Sequence, residues 1–408
     1  MTHLAVKDEL LDAQTLRTAG AASAGGAELG ECLATAARVA GTDLSSWYEE
    51  WTASGEALLA VAERERAAGQ LVSARHAFFR ASSYLRTAGV MLLAAPLEGR
   101  VRESNRRQSD AFRNGAALLE RPPEVIEIPF EATTLPGYFF PADDGSRPRA
   151  TVILTGGYDG TAEELYFLTG AAALERGYNV LCFDGPGQGS ALLQQGLLLR
   201  PDWEHVIAAV IDVVTERPDV DPERIAVIGL SLGAHLAPRA ASLDHRIAAC
   251  VADCGSFDLF DAATARMPGW LRKGFVTRRT LPTAILARIL RVMATKPTLG
   301  WALRRGQLVH GASTPIEYLE MLRDYSLRGR AEHIECPTFV CNAEGDDIGA
   351  SAPELFAELT CAKRFETFRQ SDGAGDHCEA GARARFHESC FGWLDSVLHP
   401  VDVHLQAS

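Results

Sequence analysis

A serine hydroxyl attacks a carbonyl only when a base removes its proton and fixed donors stabilise the oxyanion that follows. Ser231 lies between two glycines in Val227-Ile228-Gly229-Leu230-Ser231-Leu232-Gly233-Ala234. Such glycines let a chain turn sharply from strand to helix and lift the serine above the sheet edge. The apolar run RIAVIG precedes this turn and the helix-forming AHLAPRAAS follows it. By itself the motif fits a nucleophile as well as a plain tight turn, so the partners decide. An orienting acid is expected after a later strand, and PTFVCNAEGDDI offers Asp346 and Asp347. Asp346, directly after Gly345, is the expected acid, and Asp347 its solvated neighbour. Of eleven histidines, His377 lies in a Gly-rich loop, SDGAGDHCEAG, after the last strand pattern and before an amphipathic helix. That is the place for the base. The order Ser231, Asp346, His377 is one in which a Ser-His-acid triad occurs.

The oxyanion donors are expected to be the backbone N–H of Leu232 and one from TGGYDG, with Tyr158 preferred and Gly157 second. His310, in QLVHGAS, is read as either a packing residue or a substrate contact. His235, one turn past the serine, is read as structural, and His387 and His399 as surface or packing residues. FDGPGQG lacks the Gly-Lys-Ser/Thr ending of a phosphate loop and the spacing of a dinucleotide turn, and Asp184 within it is read as structural.

These groups need a scaffold. Residues 18–42 are rich in Ala and Gly, which predicts a start that is either loosely ordered or packed through small residues, with firm structure after it. Ser46-Trp47-Tyr48-Glu49 has the form of a capping box, and Trp47, Trp51, Leu58 and Val61 follow at helical spacing. A second helix is predicted over SARHAFFRASSYLRTAGVMLL and a third over Ser104 to Leu119, stopped by Pro122-Pro123. Eight strand-like runs follow: EVIEIPFE, LPGYFFP, ATVILTGG, NVLCFDGPGQG, RIAVIGLSLG, IAACVADCG, PTFVCNAEGD and KRFETFRQ. Apolar strands alternating with amphipathic helices indicate an α/β fold, a mostly parallel sheet flanked by helices, with the first two strands as an antiparallel edge. Residues 256–335 are too long for an ordinary connection and contain Pro-broken helices. The predicted organisation is an N-terminal helical segment over 1–120, a core over 121–255 and 336–408, and an inserted helical cap over 256–335, with the N-terminal segment forming part of the cap.

Bulk properties narrow the function classes. A chain of 408 residues, 47% of them apolar, can bury a large core. A net charge of −13 disfavours nucleic acid, and basic pairs such as Arg304-Arg305 are read as too sparse to oppose that. No apolar run reaches the roughly 20 residues of a membrane span, so no membrane partner is expected. MTHLAVKDELLDAQ lacks the features of a secretory signal, and nine scattered cysteines fit a reducing cytoplasm. Cys250 and Cys254 lack a second ligand pair, so no metal is expected. No cofactor is expected either, and the partner is a small-molecule substrate.

With these residues in order, the chain resembles the α/β-hydrolase superfamily. The resemblance narrows to the branch containing 2,6-dihydroxypseudooxynicotine hydrolase and fungal hydrolases that shorten polyketide chains. TGGYDGTAEELYF, FDGPGQG, RPDWEHVI, GLSLGA, NAEGDD, GAGDHCEAGA and the YLRTA helix carry it, from about Ser46 to Leu398. It implies a capped serine hydrolase, often dimeric, with Ser231 as nucleophile, Asp346 as acid, His377 as base, and Leu232 with Tyr158 or Gly157 as oxyanion donors. Some relatives use a further carboxylate in the cap, which Asp258 or Asp261 would match. In the named relatives the bond cleaved is carbon-carbon, beside an aryl or polyketide ketone. An esterase or thioesterase would share every residue named, and a non-hydrolytic cyclase remains the alternative from another class.

Overall fold

The computed structural model describes residues 4–145 and 147–398, so His399 lies outside the described residues. The eight strand-like runs form one sheet: β1 (Glu124–Phe130), β2 (Thr133–Phe140), β3 (Arg149–Thr155), β4 (Asn179–Phe183), β5 (Val220–Leu230), β6 (Ala249–Asp253), β7 (Thr338–Ala343) and β8 (Lys363–Phe368). Their order is β1-β2-β4-β3-β5-β6-β7-β8. β1 pairs with β2, and β2 with β4, antiparallel; every other pairing is parallel. β4 and β6 are buried along their whole length, as strands must be when helices cover both faces. β8 closes one edge with Lys363, Arg364 and Glu366, charges that discourage further strand pairing.

From β3 the chain goes to β4 on one side and then crosses to β5 on the other. Such a reversal opens a crevice at the carboxyl ends of the two strands, where ligands of doubly wound sheets bind. Tyr158 follows β3 and Ser231 follows β5, so both emerge at that crevice.

The N-terminal helices are α1 (Glu9–Ala19), α2 (Leu29–Ala36), α3 (Leu44–Ala67), α4 (Leu71–Val90) and α5 (Gly99–Ala116). Of the two expectations for 18–42, the structure has the start packed through small residues and not the loose one. Asp8 caps α1 by accepting from Leu10 and Leu11 N–H, and Cys32 and Ala36 of α2 are buried. Small side chains here permit close packing. The capping box is corrected: α3 begins earlier, capped by Asp43, and the Ser46 hydroxyl accepts from Ala40 N–H at 2.9 Å. α5 starts before Ser104 because its first turn, GRVRE, has no apolar stripe to mark it. Trp47 Nε1 donates to Thr87 O at 2.8 Å, joining α3 to α4. Phe112 of α5 packs 5.0 Å from the Tyr138 ring, seating the helices on the sheet.

Residues 256–335 leave the sheet between β6 and β7 as five α-helices: Leu259–Thr264, Gly269–Val276, Thr280–Ala294, Trp301–His310 and Pro315–Met321. Trp301 Nε1 donates to Val90 O at 2.9 Å, so this segment meets α4. No helix among the described residues is long and apolar enough to cross a membrane.

Candidate active site

Ser231 adopts φ 60°, a left-handed conformation that a side chain rarely accepts without support. Its N–H donates to Asp253 O at 2.9 Å and its carbonyl accepts from Ala234 N–H at 2.9 Å, which fixes the turn between β5 and the helix Gly233–Ala241. A Cβ on Gly229 would collide with the Gly233 carbonyl, and one on Gly233 with the Thr155 carbonyl. Both glycines are therefore demanded by backbone contact.

The structure brings three separated residues into one line. His377 Nε2 lies 2.8 Å from Ser231 Oγ, and His377 Nδ1 lies 2.7 Å from Asp346 Oδ2. Asp346 Oδ1 also accepts from Ile348 N–H at 2.9 Å, and Oδ2 from Gly349 N–H at 3.0 Å. With Nδ1–H donated to the carboxylate, Nε2 is left to accept the serine proton. Burial opposes charge on His377, but the adjacent Cys378 and the Asp346 carboxylate outweigh it and hold its pKa well above the ordinary histidine value. Asp347 is exposed and pairs with Arg266.

Tyr158 and Gly157 stand across from the serine. A Cβ on Gly157 would come within 3.0 Å of Ser231 Cβ, so glycine keeps the space beside the hydroxyl open. No protein group accepts from the N–H of Tyr158 or Leu232 among the described residues, leaving both free for an oxyanion. The Tyr158 hydroxyl lies 2.9 Å from His310 Nε2, while His310 Nδ1 is buried without a partner. Burial, reinforced by Arg305, lowers the His310 pKa to about 4, so the ring is neutral at pH 7.

Among the described residues, neither Asp258 nor Asp261 makes a hydrogen bond or ion pair with Ser231, Asp346 or His377. Asp258 caps the helix Leu259–Thr264 by accepting from Asp261 N–H at 2.8 Å. Asp261 pairs with Arg272 at 2.7 Å and Arg328 at 3.0 Å. Both carboxylates are thus committed to holding the inserted segment together. Asp184 accepts from the N–H of Ala162 and Ser190, each at 2.7 Å, and His235 Nδ1 meets Ser256 O at 2.9 Å; both anchor backbone. His387 Nε2 donates to Leu168 O at 2.8 Å.

Two buried ionic clusters escaped sequence reasoning. Asp159, beside Tyr158, contacts Arg17 at 3.0 Å, Arg305 at 3.3 Å and Arg86 at 3.5 Å. Burial works to raise the Asp159 pKa, yet Arg17, Arg305 and Arg86 pull it well below the carboxylate range. One carboxylate thereby ties α1, α4 and the inserted segment to the Tyr158 loop. In the second cluster Arg383 pairs with Asp253 at 2.6 Å and Glu379 at 2.9 Å, and donates to Cys378 O at 3.0 Å. This clamps the His377 loop to the end of β6. The Glu379–Arg383 spacing of four was readable; the partner Asp253 was not. Cys254, His377 and Cys378 offer ligand atoms within 4.8 Å of one another, but His377 Nε2 is engaged by Ser231.

The chain matches the family model described as alpha/beta hydrolase over residues 152–386, and one described as esterase FrsA-like over residues 31–263. It is 36% identical to hydrolase acrC of Aspergillus aculeatus, covering 93% of this chain and 94% of that protein. It is 35% identical to the 20-hydroxy-prefusarin hydrolase FUS2 of Gibberella moniliformis, covering 97% and 98%. Its fold is similar to the crystal structure of 2,6-dihydroxy-pseudo-oxynicotine hydrolase, with a TM-score of 0.74 at 23% identity, covering 93% of this chain and 95% of that one.

Proposed function

The chain belongs to the α/β-hydrolase family and is a hydrolase; from that premise we propose that it is a serine hydrolase acting on a carbonyl of a small, largely apolar, aromatic or polyketide-like metabolite. The observation that carries this reading is the unbroken chain from Ser231 Oγ through His377 to Asp346, 2.8 and 2.7 Å long, on a left-handed turn. His377 takes the serine proton as Oγ attacks the carbonyl carbon, and the N–H groups of Leu232 and Tyr158 hold the oxyanion. Asp346 keeps the imidazole in the accepting tautomer and stabilises its charged form. Collapse expels the leaving group, which takes the proton from His377. Water, deprotonated by His377, then releases the acid and restores Ser231.

For a ketone the leaving group is a carbanion that departs as an enolate and gains its proton at carbon. One water is consumed, and the products are an acid and a carbon compound bearing one added hydrogen. The relationship to a hydrolase named for 20-hydroxy-prefusarin supports a metabolite of this kind, and carbon-carbon cleavage is the reading we put first. The match to an esterase family model favours ester cleavage by the same groups as the second reading. The substrate would lie under a cap formed by the N-terminal helices and residues 256–335.

Treatment of the folded protein with a fluorophosphonate, followed by peptide mapping, tests the nucleophile. Label on Ser231 and its loss in Ser231→Ala are expected. Label elsewhere, or none, refutes the assignment.

A further inference from the structure

Between Asp261 and Glu317 the chain contains no acidic residue and ten basic ones, in a protein of net charge −13. The helices Gly269–Val276 and Thr280–Ala294 and the turn after them occupy the centre of this stretch. Six cations there, Lys273, Arg278, Arg279, Arg288, Arg291 and Lys296, are exposed and make no ion pair among the described residues. Sequence reading took the basic pairs as too sparse to form a face; the helical hairpin gathers them.

Large apolar side chains share that surface. Trp270, Leu281, Val292 and Leu299 are 60%, 72%, 57% and 63% exposed. In the helix Thr280–Ala294, Leu286 and Leu290 point into the protein, while Leu281, Ile289 and Val292 lie exposed on a different stripe that the half-buried Ile285 joins to the core. A helix with a second apolar stripe facing water, flanked by unpaired cations, has the composition of an element that lies in a membrane interface.

We propose that the hairpin 269–299 is a docking surface for an anionic lipid bilayer, with its aliphatic stripe and Trp270 entering the headgroup region and the six cations meeting lipid phosphates and carboxylates. This is surface contact without a spanning helix, and it revises the expectation of no membrane partner. Charge decides among occupants. A second copy placed symmetrically would set cations against cations. A nucleic acid would leave Leu281, Ile289 and Val292 unused, whereas a bilayer satisfies both halves of the face. The role of the contact rests on the proposed function: an apolar metabolite dissolved in the bilayer would enter the enzyme through the segment that touches the membrane.

Flotation of the full-length protein with vesicles tests the proposal. Binding is expected with phosphatidylcholine containing about a third phosphatidylserine, and its loss with phosphatidylcholine alone or in 0.5 M salt, because screening weakens exposed charges. Each cation near an anionic surface contributes about five-fold, so Arg288→Gln/Arg291→Gln/Lys296→Gln is expected to partition roughly 100-fold less. Trp270→Ser/Leu281→Ser tests the apolar half independently and should also abolish flotation. No flotation of the wild type, or flotation of either variant equal to that of the wild type, overturns the proposal. So does a dimer by light scattering that the triple variant alone dissolves, without any vesicle binding. Cleavage of a water-soluble ester should be unchanged in both variants, so a failure of the hydrolase reading shows in that assay and not in flotation.

Discussion

Asp346→Asn isolates the single hydrogen bond on which the proposed base depends. The carboxylate accepts from three donors: Ile348 N–H on one oxygen, and Gly349 N–H and His377 Nδ1–H on the other. An amide has one accepting oxygen and one NH2, so it cannot serve all three. If its oxygen turns toward Ile348, the NH2 faces Gly349 and His377 and forces the ring proton from Nδ1 to Nε2. His377 then presents a donor to Ser231, where an acceptor is required. If its oxygen stays with His377, the NH2 opposes Ile348 N–H and a buried donor loses its partner, at about 1–3 kcal/mol. The flipped form keeps one of the two backbone bonds and the retained form keeps the other, so the His377 contact decides little and the accepting tautomer loses its advantage. In a Ser-His-Asp triad the wrong tautomer lowers kcat by about 10^4, equivalent to about 5.4 kcal/mol. The assay is kcat/KM for a p-nitrophenyl ester and the rate of fluorophosphonate labelling, with Ser231→Ala as the floor and circular dichroism to verify the fold. Both rates should fall by roughly the same factor, since both report the nucleophilicity of Ser231. A folded Asp346→Asn that keeps more than a tenth of either rate refutes the assigned role.

Other outcomes follow from neighbouring groups. His377 must be neutral to act, and its pKa is held above the ordinary value, so kcat/KM should rise with pH through a midpoint above 6.5 and fall away as the ring protonates below it; a midpoint under 6.5 in the rate profile contradicts this. Arg383→Met leaves Asp253 buried without its cation and unclamps the His377 loop, which should cost about 3–5 kcal/mol in urea unfolding; a loss under 1 kcal/mol means that the clamp is idle. Tyr158→Phe leaves His310 with neither ring nitrogen partnered in the protein, for about 1–3 kcal/mol of stability, while ester turnover by Ser231 should persist because the Tyr158 N–H is retained.

What was legible in the sequence divides along a physical line. The inner strands were visible because a strand buried on both faces must be apolar over its whole length, while the mostly exposed β1 and β8 showed as short runs of β-branched and aromatic residues between turn signals. Ser231, Asp346 and His377 were found because each lies in a local context with its own requirement: glycines around the serine, a strand end before the acid, and a Gly-rich loop before the last helix. The same logic places the Tyr158 loop, proposed here to supply an oxyanion donor, beside the Ser231 turn, because β3 and β5 are neighbours. The N-terminal boundary was misjudged because Ala and Gly weaken an isolated helix, yet inside a protein they let helices approach closely. Asp43 was passed over in favour of Ser46 because two capping residues stood three apart, and only the path of the chain from Ala40 chooses between them.

The pairs that support the site obey no local rule. Asp159 gathers Arg17, Arg86 and Arg305 from elements spread over nearly three hundred residues, and Arg383 reaches Asp253 across 130. Guanidinium and carboxylate side chains are common, so their pairing is decided by where the strands and helices carry them. The unpaired cations of 269–299 show the same dependence in reverse. Along the chain they are scattered among Leu, Ile and Thr, and the acidic total hides them. Folding into two helices turns six of them and an aliphatic stripe outward together, within a stretch from 262 to 316 that holds no Asp or Glu. A local excess of one charge survives folding only where no partner is brought to it, and a face that keeps both its charge and its apolar surface exposed is built for something outside the chain.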